Sequence, residues 1–150
     1  MKANRSVSGC IFCAAAAGSD DEASLVVYRA ARVFVILNRY PYTSGHLMIT
    51  PYEHVSRLGA TAEETTAEMM HVARHAERLL EEAYRPDGLN LGMNLGEAAG
   101  AGIEQHIHMH VLPRWKGDAN FMTTVADTRI VPEPLDETYT KLRAKFAQLS

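Results

Sequence analysis

The stretch HIHMHVLPRW, residues 106–115, sets three histidines at alternate positions and follows them with an apolar pair, a proline, an arginine and the chain's single tryptophan. Side chains alternate across a sheet, so a strand over 105–112 (QHIHMHVL) puts His106, His108 and His110 on one face and Ile107, Met109 and Val111 on the other. The apolar set is expected to face the core and the imidazoles to face outward. A single histidine is usually an ordinary polar residue, but three adjacent imidazoles on one face need hydrogen-bond partners or a ligand.

Working outward, GEAAGAGIE (96–104) reads as a glycine-bearing loop and LNLGMNL (89–95) as another strand. Before them the period changes. Met69, Val72, Ala73, Ala76, Leu79, Leu80 and Ala83 recur at helical spacing after TAEE (61–64), which predicts a long amphipathic helix with Thr61 as N-cap and Glu64 reaching back to it. Arg78 with Glu82 and Glu81 with Arg85 stand four apart on its polar side, His71 and His75 read as ordinary surface residues, and PDG (86–88) stops it. Nearer the start, LVVYR (25–29) and VFVIL (33–37) read as a hairpin, NRYPYTSG (38–45) as a turn, and HLMIT (46–50) as a third strand with His46 at the loop edge. The small-residue stretch AAAAGSDDEAS (14–24) reads as a loop. A last helix, about 135–149, carries Tyr139, Leu142, Phe146 and Leu149 on one stripe. The order β-β-β-α-β-β-α predicts an α+β fold: a five-stranded, mostly antiparallel sheet with a long helix and a C-terminal helix, in one domain over 1–150.

Composition narrows the function. The 150 residues are 47% apolar and 22% charged, with a formal net charge of −3, so the basic excess that favours a phosphate backbone is missing and nucleic acid is not an expected partner. No run approaches the ~20 apolar residues of a membrane span, and the start MKANRSVSGCIFC lacks a secretory pattern, which leads us to expect a cytoplasmic protein away from membranes. Cys10 and Cys13 are too close to staple distant parts of a fold. Their CIFC is a thioredoxin-like redox pair, a zinc half-site or two buried thiols, and zinc, the first choice, needs two further ligands.

Two chemistries suit the histidine face. Alternate imidazoles on a strand converge on a metal ion, or one neutral imidazole attacks phosphorus while its neighbours stabilise charge on the phosphate oxygens. The loop GEAAGAG (96–102) favours phosphate, because glycines and small residues leave backbone N–H groups accessible. Arg114 and Lys116 either draw phosphate in or form a solvated basic pair.

GHLMITP (45–51), NLGEAAGAGIEQH (94–106) and HIHMHVLPR (106–114) together resemble the histidine triad (HIT) superfamily of nucleotide hydrolases and transferases, whose signature is His-φ-His-φ-His-φ-φ. Within it the chain is most similar to the diadenosine-polyphosphate branch, which includes diadenosine tetraphosphate phosphorylases. The resemblance implies cleavage of a dinucleoside polyphosphate at the α-phosphate, with His108 as nucleophile forming a nucleotidyl-imidazole, His110 contacting the reacting phosphate and His46 orienting the site. It implies Asn38 at the nucleoside end and Asn94 toward the phosphate, beside the loop residues Gly100, Ala101 and Gly102. Many members carry Gln-Ser or Gln-Thr where Ala101 and Gly102 stand, so backbone N–H groups are the expected donors here. In members with the Cys-x-x-Cys, the resemblance implies structural zinc on Cys10, Cys13, His54 and His106, within a zinc-type N-terminal segment of about 8–24, and no organic cofactor. It further implies a homodimer whose sheets join into one of ten strands, with Met69 and Met70 as interface candidates.

The chemistry of the leaving group agrees with a polyphosphate. An amine with a pKa of ~10 needs a proton to leave, whereas a nucleoside polyphosphate departs as a stabilised anion near neutral pH. Water or inorganic phosphate then resolves the intermediate, and both acceptors stay open. Adenosine phosphoramidate hydrolysis is the alternative reaction, and a nucleotide-binding interaction module the alternative without turnover; a pure binder has no need of a nucleophile at His108.

Overall fold

The computed structural model describes residues 9–103, 105–118 and 132–149. Its elements in chain order are α1 (Ile11–Ala17), α2 (Asp21–Ser24), β1 (Val26–Arg29), β2 (Val33–Leu37), β3 (Leu47–Pro51), α3 (Glu63–Tyr84), β4 (Gly88–Gly92), β5 (Met109–Arg114) and α4 (Leu135–Phe146). Single 3₁₀ turns at Leu58–Ala60, Glu97–Ala99 and Ala147–Leu149 punctuate them. The strands form one antiparallel sheet in the order β1-β2-β3-β5-β4, so the fold is the expected α+β arrangement.

β2 explains the layering. All five of its residues, VFVIL, are buried, which requires cover on both faces of the sheet. On one side α3 packs against β2, β3 and β5, while α4 packs against β1 and against α3. The α3 stripe Met69, Val72, Ala73, Ala76, Leu79 and Leu80 is buried there, with Leu142 and Phe146 of α4. Met69 is only 1% exposed within the chain's own core, so it is no interface residue; Met70 is 55% exposed.

The N-terminal segment departs from expectation, because AAAAGSDDEAS is largely helical. Alanine has the highest helix propensity, and the ends are capped. Cys10 Sγ accepts the Cys13 N–H at 3.5 Å at the start of α1, and Asp20 Oδ1 accepts the Ala23 N–H at 3.1 Å at the start of α2. Arg29 closes the far end of α1, donating to the carbonyls of Ala15 (2.7 Å) and Ala16 (3.0 Å) while pairing with Asp21 at 3.0 Å.

The start of α3 differs too. Thr61 turns back to the Leu58 carbonyl at 2.6 Å, and the helix begins at Glu63. Glu53, from the turn after β3, does the capping instead: its carboxylate accepts the Ala62 N–H at 3.3 Å and the Thr65 hydroxyl. On the polar side Glu82 pairs with Lys145 at 3.3 Å, and Arg78 lies 2.9 Å from His75.

Candidate active site and metal centre

The strand that holds the triad is shorter at its start than expected. Met109 opens β5, and His106 and His108 lie just before it in extended chain. The segment is held by the Ile107 N–H donating to the Val55 carbonyl (2.9 Å) and the Thr50 hydroxyl donating to the Ile107 carbonyl (2.9 Å). Nor do the first two imidazoles face open solvent, while His110 is half-buried. His106 is fully buried and His108 is 7% exposed, because Phe12 of α1 covers them with ring centroids 5.2 and 4.9 Å away.

His110 and His108 line a cavity of about 700 Å³, together with Asn38, Asn94, Gly100 and Gly102. Its inner wall is apolar, from Leu25, Ile36, Leu37 and Met48, and α1 contributes Ile11, Ala14 and Ala15. Within the loop the N–H groups of Gly100 and Ala101 are spent on the Glu97 and Gly96 carbonyls at 2.9 and 3.2 Å. Gly100 and Gly102 both stand at the cavity wall, with the Asn94 amide about 4.0 Å from where a Cβ on Gly100 would lie. Arg114 is committed elsewhere: it pairs with Asp118 at 2.6 Å and donates to Asn90 at 2.7 Å, so it is part of the β4–β5 surface.

The ring protons of the histidines follow from their neighbours. His108 Nδ1 lies 3.0 Å from the His106 carbonyl, which only accepts, so Nδ1 carries the proton and Nε2 keeps its lone pair. His46 Nδ1 lies 3.2 Å from the Tyr42 N–H, which only donates, so the His46 proton is on Nε2. That Nε2–H donates to His110 Nδ1 at 2.8 Å, which places the His110 proton on its own Nε2. The Asn38 amide sits 3.5 Å from His46 Nε2, and its Oδ1 accepts the Tyr40 N–H at 2.9 Å. Burial, then the neighbouring His110 and His108, pushes His46 down to about 3; burial likewise lowers His108 and His110. The neutral tautomers are therefore the relevant ones near pH 7. The result is one lone pair and one N–H donor, side by side on His108 and His110, whose ring centroids are 5.0 Å apart.

His46 reaches this position through Gly45. That glycine has φ +84°, and a Cβ there would lie 2.7 Å from the Tyr84 ring. The chain enters β3 directly over an aromatic side chain of α3.

A second cluster lies behind the triad. Cys10 and Cys13 of α1, His54 after β3, and His106 bring their ligand atoms within 4.8 Å of one another. Cys Sγ to His Nδ1 distances are 3.4 Å (Cys10–His106), 3.5 Å (Cys13–His106) and 3.1 Å (Cys13–His54), and the two Nδ1 atoms are 3.3 Å apart. A tetrahedral ion with bonds of about 2.3 Å to sulfur and 2.0–2.1 Å to nitrogen has edges of roughly 3.5 Å (S to N) and roughly 3.3 Å (N to N). The residues fit a tetrahedral Cys₂His₂ ion. His106 Nε2 donates to the Pro51 carbonyl at 2.8 Å, which turns the Nδ1 lone pair toward the cluster.

Sequence reasoning named the histidines, cysteines and asparagines but missed Phe12, Ile11 and the tyrosines Tyr40 and Tyr42. Phe12 stood in plain view between the two cysteines. What hid its contact with the histidines was the reading of the residues after it as loop.

Comparison with known proteins places these features. The HIT domain model matches residues 20–117. The chain is 42% identical over 128 residues to a Mycobacterium tuberculosis protein named AP-4-A phosphorylase, covering 85% of this chain and 66% of that protein's length. It is 34% identical over 110 residues to the Bacillus subtilis "Protein hit" (73% of this chain, 74% of the relative). Among solved structures, a Zn-bound histidine triad family protein from Mycobacterium smegmatis superposes with a TM-score of 0.73 at 32% identity, covering 95% of this chain and 96% of its own.

Proposed function

The chain belongs to the HIT domain family, and from that premise we propose that it transfers a nucleotidyl group from a dinucleoside polyphosphate, through His108, to inorganic phosphate. The observation that carries this reading is the pair of tautomers on two cavity-lining histidines, which gives a lone pair to His108 Nε2 and an N–H to His110 Nε2. A nucleophile needs the first, and a phosphate oxygen gaining charge needs the second.

His108 Nε2 attacks the α-phosphorus and the bond from that phosphorus to the bridging oxygen breaks, the electron pair leaving with the nucleoside polyphosphate. His110 donates to a non-bridging oxygen of the transferred group. His46 is a positioning residue: its Nε2–H holds His110 in the tautomer that can donate. An oxygen of inorganic phosphate then attacks the same phosphorus, the N–P bond breaks, and a nucleoside diphosphate leaves with His108 neutral again. Diadenosine tetraphosphate plus phosphate thus gives ATP and ADP. Phosphate as acceptor is favoured over water by the name of the mycobacterial relative, of which this chain spans 66%. Asn38 and the apolar inner wall receive the first nucleoside, while Asn94 and the Gly100–Gly102 turn lie along the phosphates.

The Cys₂His₂ cluster suits zinc, held by Cys10, Cys13, His54 and His106. Such an ion supplies cross-linking there: it ties α1 to the triad segment, while the His106 carbonyl holds the His108 proton. A homodimer is the proposed assembly, with β4 as the edge strand at which a ten-stranded sheet joins.

Incubation with α-³²P-labelled diadenosine tetraphosphate followed by an alkaline quench tests the intermediate. Label on the proteolytic peptide carrying His108, absent from His108→Asn, is the expected result. Turnover by His108→Asn at the parent rate would overturn the mechanism.

A further inference from the structure

Tyr40 and Tyr42 are the two aromatic residues among the exposed large hydrophobics of the described chain, at 78% and 61% exposure, and both line the one cavity that the triad opens into. Exposed aromatic faces beside a site are costly unless something covers them in use. The rings also sit on a stiff base. Pro41 between them restrains its own φ and biases Tyr40 to extended chain. The Tyr40 N–H is held by Asn38 Oδ1 at 2.9 Å and the Tyr42 N–H by His46 Nδ1 at 3.2 Å. Tyr42 lies stacked beside His110, with centroids 6.3 Å apart and planes 23° from parallel. Its backbone is thus tied to the site and its ring also leans on His46, with centroids 4.7 Å apart, so that most of the residue stays exposed while little freedom remains to be lost on stacking.

We propose that Tyr40 and Tyr42 form a stacking subsite for the second nucleobase of the substrate, at the rim of the cavity whose buried wall holds the first. The inference rests on the dinucleotide reading above. The buried apolar wall of Leu25, Ile36 and Leu37 takes the nucleoside attached to the attacked phosphorus. In the mechanism above His110 lies at the reacting phosphate, from which the second nucleoside hangs, and Tyr42 is the ring beside His110. A base is sequence-tolerantly bound by an aromatic face, so this subsite selects for the presence of a second nucleoside more than for its identity.

The test compares diadenosine tetraphosphate with adenosine 5′-tetraphosphate, which differ by one adenosine, in calorimetric titrations of His108→Asn so that nothing turns over. The dinucleotide is expected to bind at least about 5-fold more tightly, the low end of base–aromatic stacking. Adding Tyr40→Leu and Tyr42→Leu abolishes that ratio, while Tyr42→Phe keeps it, since stacking needs the ring and not the hydroxyl. Equal affinities in the parent, or a ratio that survives the double leucine variant, would overturn the subsite. The dinucleotide reading fails separately: wild-type protein would leave diadenosine tetraphosphate uncleaved. Adenosine 5′-tetraphosphate binding by each variant reports that the cavity is still formed.

Discussion

His46 is 1% exposed, takes the Tyr42 N–H on one ring nitrogen, donates to His110 from the other and packs on both of those rings, so folding lowers its affinity for a second ring proton. Burial first, and the His110 and His108 rings after it, hold its pKa at about 3, against about 6.5 in an unfolded chain. Below pH 6.5 the unfolded state therefore binds more protons than the folded one. The stability this group contributes is complete above pH 6.5 and is lost as pH falls toward 3. The displacement corresponds to roughly 5 kcal/mol in all, about 2 of it gone by pH 5. Denaturant titrations at pH 7 and pH 5 measure this, and His46→Gln is expected to flatten the slope. Activity should follow a different rule: His46→Gln lowers kcat with KM little changed, since it acts on the tautomer of His110 and not on nucleotide contacts. His108→Asn lowers turnover by at least roughly 10³-fold, because no neighbouring group offers a second lone pair in its place.

At the scale of elements, α1 and the entry to β3 do the positioning. Gly45→Ala puts a Cβ 2.7 Å from the Tyr84 ring at a backbone angle that L residues rarely adopt. Roughly 1–3 kcal/mol of destabilisation is expected in a denaturant titration, with a fall in kcat as His46 shifts. Removing metal acts through α1. If the cluster holds zinc, purified untagged protein carries about one equivalent, and chelation lowers the melting temperature and raises KM, because Ile11, Ala14 and Ala15 of the cavity wall ride on the helix that Cys10 and Cys13 anchor. Metal analysis with calorimetry checks both. The sequence made β2 and β3 legible as short apolar runs bounded by turn residues, because both are buried on two faces, and the α3 stripe legible by its period of 3.6, which is set by the core it faces. The helicity of 14–24 was hidden because alanine and aspartate read equally as loop residues until the Arg29 clamp on the Ala15 and Ala16 carbonyls is seen. The α3 cap was misplaced onto Thr61 because the capping carboxylate, Glu53, comes from outside the helix's own sequence. The imidazoles were expected outward because alternation separates two faces of a strand without saying what lies on each.

For the whole molecule, the sheet ends at β4, whose residues Gly88, Asn90, Leu91 and Gly92 are exposed. A homodimer joined at that edge runs in light scattering at twice the 16.6 kDa of the chain, and Leu91→Arg moves it toward the monomer mass. No helix among the described residues is long and apolar enough to cross a membrane. The site itself was legible to an unusual degree, because His106, His108 and His110 are close in sequence and their spacing encodes the geometry directly. The rim was not, because Tyr40 and Tyr42 show their relation to the cavity only once the turn before β3 is folded beside β5, where the Thr43 hydroxyl donates to the Pro113 carbonyl at 2.9 Å. Attack at the α-phosphorus by His108 is tested most directly by chromatography of the products from diadenosine tetraphosphate, with and without inorganic phosphate. ATP and ADP in equal amounts, formed only when phosphate is present and with the label of ³²P-phosphate recovered in ADP, is the predicted result; label recovered in ATP would place the attack at the β-phosphorus and contradict it.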